Sequence, residues 1–217
     1  SFTKSFEIAI QFGAILAVLA LYGRSLISNP PLLKKIVVAF APTAALGFIF
    51  YHIVKFYLLE NIGMSLVALF FGGIVLIVFE LLHARRGMPS PTTIEISLPR
   101  AFAIGCFQSF ALIPGVSRAG ATMMGGLLLG IDRKSIVEFS FFLAVPTIAA
   151  AAGFDLFKNA GGFGAQDFWI LALGLFVSFL VALAGIKFLL RIIQTGTFVP
   201  FGIYRILAAL VFWIVFF

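Results

Sequence analysis

A chain of 217 residues that is 62% hydrophobic and only 11% charged, with a mean hydropathy of +1.17, lies outside the range of soluble globular proteins and reads as one integral membrane domain. Its net charge of +7 would suit nucleic acid, but the basic residues stand at the ends of apolar runs and not in a stripe interleaved with aromatics, so no nucleic acid partner is expected. The single cysteine, Cys106, excludes an intrachain disulfide and a cysteine-based zinc cluster; among apolar neighbours it is expected to be a buried, inert thiol.

The chain opens directly into an apolar run, Ser5–Ile27, whose Glu7 and Gln11 do not suit the core of a cleavable signal. Further runs of spanning length follow at Ile36–Leu58, Met64–Leu82, Ser135–Phe157, Phe168–Leu189 and Phe198–Phe217. Between the third and fourth, Leu98–Gly130 is apolar at both flanks and broken in the middle, the pattern of two half-helices that enter and leave on one side. The predicted fold is an all-α polytopic membrane protein with about six transmembrane helices plus a re-entrant helical hairpin. Linkers are short: Ser28–Leu33 with Pro30-Pro31, Arg85–Thr93 with Pro89 and Pro91, and a glycine-rich turn at Ala160–Gln166. With this count Arg24, Lys34, Lys35, Arg85, Arg86, Arg100, Arg133, Lys134, Lys187 and Arg191 fall on one side and Lys4, Lys55 and Lys158 on the other. The excess assigns the first group to the cytoplasm.

Polar residues inside such runs are the candidates for function, because hydrocarbon makes each of them costly. Glu7 and Gln11 stand four apart and share a helical face, as a wall of a polar site or as a pair bonded across helices. Glu138 opens a helix just after the hairpin and is expected to hold Arg118 or a cation in place. Glu80 and Asp155 lie near span ends and are expected to be solvated or interfacial, as are His52 and His83 near the two membrane surfaces.

The most polar stretch is Pro114-Gly115-Val116-Ser117-Arg118-Ala119-Gly120-Ala121-Thr122, followed by Gly125-Gly126 and Gly130. Gly115 and Gly120 let backbone N–H groups turn toward a ligand, a helix predicted from about Ala121 points its positive end at the loop, and the Arg118 guanidinium suits phosphate oxygens. Ser117 and Thr122 add hydroxyls, with Ser117 also a candidate nucleophile. The alternative is a glycine-rich packing patch with Arg118 reaching to an interface.

This string resembles the PGxSRSGAT signature of the undecaprenyl-diphosphatases, with Ala119 in place of the second serine. Blocks around Phe6–Gly13, Gly105–Gln108, Glu138–Pro146 and Pro200–Arg205 are similar to that family in the same order, over nearly the whole chain. The resemblance adds Gln108 to the candidate substrate-binding residues and makes Arg205 a second phosphate-binding arginine. It implies hydrolysis of undecaprenyl diphosphate to undecaprenyl phosphate and inorganic phosphate, recycling a lipid carrier for cell-wall synthesis, with resistance to bacitracin on overproduction. It further implies Mg²⁺ or Ca²⁺, a multi-pass place in the bacterial inner membrane among membrane lipids, and compatibility with a homodimer.

Lys4-Ser5-Phe6-Glu7 and Lys134-Ser135-Ile136-Val137-Glu138 each open a span, and the two spans run in opposite senses, as an inverted repeat requires. On this reading 1–97 is a partial first repeat and 98–217 a second that contains the re-entrant loop 98–130. The counterpart hairpin, which the resemblance describes as an (E/Q)xxxE portion and a PVSSTGH-like loop, would precede Ser1 and is missing here. Its carboxylates and histidine therefore fall on no residue of this chain. The same architecture suits a transporter or flippase for lipid phosphates, and an inactive structural remnant is the third reading.

Overall fold

A computed structural model describes residues 2–53, 61–85, 95–159, 168–195 and 197–217. Expectations resting on the side chains of Lys4, Glu7, His52, Lys55, Arg85, Arg86, Asp155 and Lys158 lie outside the described residues. Among those described, every regular element is helical: α1 (Phe2–Ile27), α2 (Pro30–Ile49), the short α3 (Tyr51–Ile53), α4 (Ile62–Arg85), α5 (Leu98–Ser109), α6 (Arg118–Leu128), α7 (Arg133–Asn159), α8 (Phe168–Thr195) and α9 (Val199–Phe216). Six of them, α1, α2, α4, α7, α8 and α9, are long and apolar enough to cross a bilayer. The chain is a multi-pass membrane protein. The arms α5 and α6 have 12 and 11 residues, which at ~1.5 Å per residue is little more than half of a ~30 Å hydrocarbon core.

The second span begins earlier than its apolar run. Asn29 caps it, its side chain accepting from the Leu32 N–H at 3.1 Å, and Pro30-Pro31 occupy the first helical positions, where a missing N–H costs nothing. The prolines expected to form a linker therefore start a helix. The later break is also shorter than expected: α6 starts at Arg118, three residues before the predicted Ala121.

Small residues set how closely the helices approach. A side chain at Gly13 would meet the Leu175 carbonyl at 2.5 Å, and one at Gly174 would meet the Phe6 ring at 2.5 Å, so α1 lies hard against α8. The Ser178 hydroxyl reinforces this seam by donating to the Ile10 carbonyl at 2.5 Å. Contacts rise together along both helices, which makes them parallel. Gly73 and Gly202 give α4 and α9 the same intimacy, each facing the other's carbonyl, and Gly105 brings α5 onto the Ala39 backbone of α2. In lipid, where apolar side chains gain nothing by leaving their solvent, such close packing carries association.

Two expectations are corrected. Glu80 is buried at 3% exposure, and its carboxylate receives both Arg133 guanidinium nitrogens, Nη2 at 2.8 Å and Nη1 at 3.3 Å. Arg133 also lies over the Phe198 ring at 4.6 Å, so one cation joins the ends of α4, α7 and α9. The proximity of Glu80 to a span end suggested solvent, but a partner 53 residues away closes over it. Cys106, expected to be buried, is exposed, because α5 turns that face outward from the helices it packs on. His83 stacks on Phe79. Replacing Glu80 with alanine would leave the Arg133 guanidinium, 23% exposed, without its carboxylate, which costs about 1–3 kcal/mol. Thermal aggregation in detergent should start well below the wild-type temperature, and the double change Glu80→Met with Arg133→Met should recover most of the loss.

Candidate active site

The loop between α5 and α6 is fixed from both ends. On the entry side Lys35 pairs with Glu95 at 2.7 Å and Arg100 donates to the Glu95 carbonyl at 3.1 Å, anchoring the start of α5. A short 3-10 turn, Phe110–Leu112, carries the chain into Pro114. Gly115 then takes φ +90°, a left-handed conformation open to glycine, and any side chain there would run into the Ser65 carbonyl of α4. The two arms pack on each other through Gly125, where a Cβ would meet the Phe107 ring at 2.5 Å.

On the exit side Ser117 is the cap of α6. Its Oγ accepts from the Gly120 N–H at 3.1 Å and its carbonyl from the Ala121 N–H at 2.9 Å. The amides of Arg118 and Ala119 lie ahead of that first helical bond, at the positive end of the dipole. Arg118 is thus the first residue of the helix and closer to this end than the sequence suggested. The Arg118 side chain is partly buried at the head of α6, and among the described residues no carboxylate pairs with it. A partly desolvated cation without a carboxylate among those residues favours an incoming anion.

Beside Arg118 a cavity of about 270 Å³ opens between α1, α7 and α8. Its walls include Ala14, Val18, Phe141, Ala144 and Gly185, and Arg118 is the polar side chain that reaches it. Ser117, Thr122 and Arg205 do not line it.

The other candidates take distinct places. Thr122 is fully buried and its hydroxyl donates to the Arg118 carbonyl at 2.9 Å, bracing the first turn of α6. Arg205 approaches the loop from α9, donating from Nη2 to the Gly115 carbonyl at 2.6 Å. It passes α4 at Gly72, where a Cβ would stand 2.7 Å from the same nitrogen. Glu138 forms no ion pair with Arg118 and lies near Tyr22 of α1. Gln11 is exposed on α1. Gln108 is 1% exposed, with its amide nitrogen on the Thr43 hydroxyl at 3.0 Å and the Thr147 hydroxyl at 3.2 Å.

Sequence reasoning missed Ser65, Gly72, Thr43 and Thr147. The Gly72-Gly73 pair inside a span was the available signal for close approach; the threonines carry none, since a hydroxyl in a helix usually bonds its own preceding turn.

A family model described as bacitracin resistance protein BacA matches residues 1–211. Among relatives, the undecaprenyl-diphosphatase of Sulfurihydrogenibium sp. is 45% identical over 211 residues, covering 97% of this chain and 82% of the relative. That of Aquifex aeolicus is 45% identical with the same coverage, and that of Wolinella succinogenes is 43% identical over 212 residues, covering 97% and 82%. An anion-ready arginine at the capped start of a short helix, set among six spans and matched over nearly its whole length, makes this chain a member of the BacA bacitracin resistance family.

Proposed function

We infer that the protein hydrolyses undecaprenyl diphosphate to undecaprenyl phosphate and inorganic phosphate. One observation supports this most: within a chain 45% identical to an undecaprenyl-diphosphatase, Arg118 is held at the start of α6 with no carboxylate beside it among the described residues. The substrate is a polyprenyl diphosphate, and the proposed setting is the bacterial inner membrane. There the broken hairpin re-enters the bilayer and the carrier is returned to cell-wall synthesis. Association as a homodimer belongs to the same proposal.

The reaction breaks the anhydride P–O bond, with the lipid monophosphate leaving as the terminal phosphorus accepts an oxygen nucleophile. Phosphoryl transfer of this kind is helped chiefly by positioning and by neutralising charge on the equatorial oxygens. Arg118 presents a planar fork to those oxygens, and the amides at the start of α6 add dipole. Arg205 holds the Gly115 carbonyl in place with one donor and brings a second positive charge to the loop. Ser117 shapes the helix cap by accepting from the Gly120 N–H, which leaves its own hydroxyl proton available to a phosphate oxygen. It is also the candidate nucleophile, although no histidine or carboxylate touches it among the described residues. Thr122 braces the turn that carries Arg118.

Glu7, Gln11 and Glu138 are proposed as the polar surroundings of the headgroup. Mg²⁺ or Ca²⁺ follows from the family resemblance. Among the described residues no three of His, Cys, Asp or Glu converge, so these residues do not by themselves fit such an ion and no step is derived through it. Incubating the purified intact protein with a C55 or C15 diphosphate should release inorganic phosphate. Movement of the lipid across vesicle membranes without phosphate release would instead identify a transporter.

A further inference from the structure

Gln108 is the last residue but one of α5, just before the turn that leads into the Pro114–Thr122 loop. Its two amide protons go to two helices: one to Thr43 on α2 at 3.0 Å, the other to Thr147 on α7 at 3.2 Å. Each threonine passes its own proton on, Thr43 to the Gly105 carbonyl at 3.2 Å and Thr147 to the Leu143 carbonyl at 2.7 Å. Ser109 adds a bond to the same Gly105 carbonyl at 2.9 Å. The donors are therefore all engaged. The remaining atom, Gln108 Oε1, is buried with no partner among the described residues.

An amide with an orphaned buried oxygen is a poor device for stability alone, because an apolar residue of similar shape would avoid the desolvation cost. Its placement points elsewhere. Thr43 follows Pro42 and Thr147 follows Pro146, and both prolines lie inside their helices. A proline inside a helix removes one backbone bond and lets the axis bend there. Gln108 thus grips α2 and α7 at the point where each can bend, and does so from the arm that delivers the loop.

We propose that Gln108 is a positioning residue: by clasping Thr43 and Thr147 it sets the depth and register of the α5–α6 hairpin, and through it the position of Arg118 against the phosphate. This rests on the phosphatase reading above. The clasp touches no reacting atom, so its loss should act on the transition state more than on binding.

The test compares the intact protein with Gln108→Leu and, separately, with the paired changes Thr43→Val and Thr147→Val, which keep side-chain shape. Both variants should lose roughly ten- to a hundredfold in kcat with KM within about a factor of two. A raised KM with unchanged kcat in Gln108→Leu would make Gln108 a substrate ligand, and wild-type kinetics in the threonine pair would leave the clasp without effect; either result overturns the proposal. A nitroxide on the exposed Cys106, two residues from Gln108, gives a readout independent of turnover. The label should change its immersion depth in both variants; an unchanged depth in folded protein would also overturn the clasp. If wild-type protein releases no phosphate, the phosphatase reading fails by itself, and the label still decides whether the clasp positions the hairpin.

Discussion

Replacing Arg118 with alanine is expected to lower phosphate release by at least about a thousandfold, the scale set by arginines that neutralise a transferring phosphoryl group. The fold should survive. Among the described residues Arg118 carries no ion pair and its removal strands no charge, and the cap of α6 is made by Ser117 and not by Arg118. Thermal stability should stay level, since Arg118 is only partly buried and no ion pair among the described residues depends on it. Lysine should rescue little, because an ammonium offers a point charge where the loop presents a planar fork. Stopped-assay phosphate release on the variants, paired with melting in detergent, checks both halves of the expectation.

The second large effect belongs to Gly115. Alanine there must adopt φ near +90° and drive its methyl into the Ser65 carbonyl, so the loop has to leave α4. That movement also draws the Gly115 carbonyl away from Arg205. A displacement of about an ångström at a reacting centre costs on the order of a hundredfold in rate, and Gly115→Ala should lose at least that much turnover. Gly185 provides the contrast. It lines the cavity beside Arg118, yet a Cβ at that position meets nothing within 4 Å, and Gly185→Ala should retain near wild-type kcat. Measured together, the two variants separate a glycine required by geometry from one that is merely near the site.

How much of this was legible in the sequence follows from the range of the forces. The spans were readable because each is a property of one contiguous segment, and so was the break between α5 and α6. The bounds were less readable where local chemistry competes: Pro30-Pro31 looked like a linker and serve as a helix start, and Ser117 moved the start of α6 back to Arg118. Pairings across the chain could not be seen at all. Arg205 and Gly115 are 90 residues apart, Glu80 and Arg133 are 53, and Gln108 meets Thr43 across 65. Each depends on which helices become neighbours, and that is decided by glycines such as Gly73, Gly105 and Gly202 through backbone contact. The motif named the loop; the helices around it determined that Thr122 faces inward and that Arg205 grips a carbonyl.

The central claim is that Arg118 receives the phosphate of a lipid diphosphate. Guanidinium ¹⁵N to ³¹P dipolar recoupling, on protein labelled at arginine and saturated with a non-hydrolysable diphosphate lipid, tests it directly in membranes. The account predicts a coupling of direct-contact strength that disappears in Arg118→Lys while the ligand remains bound. A bound ligand whose phosphorus shows no coupling to Arg118 would contradict it.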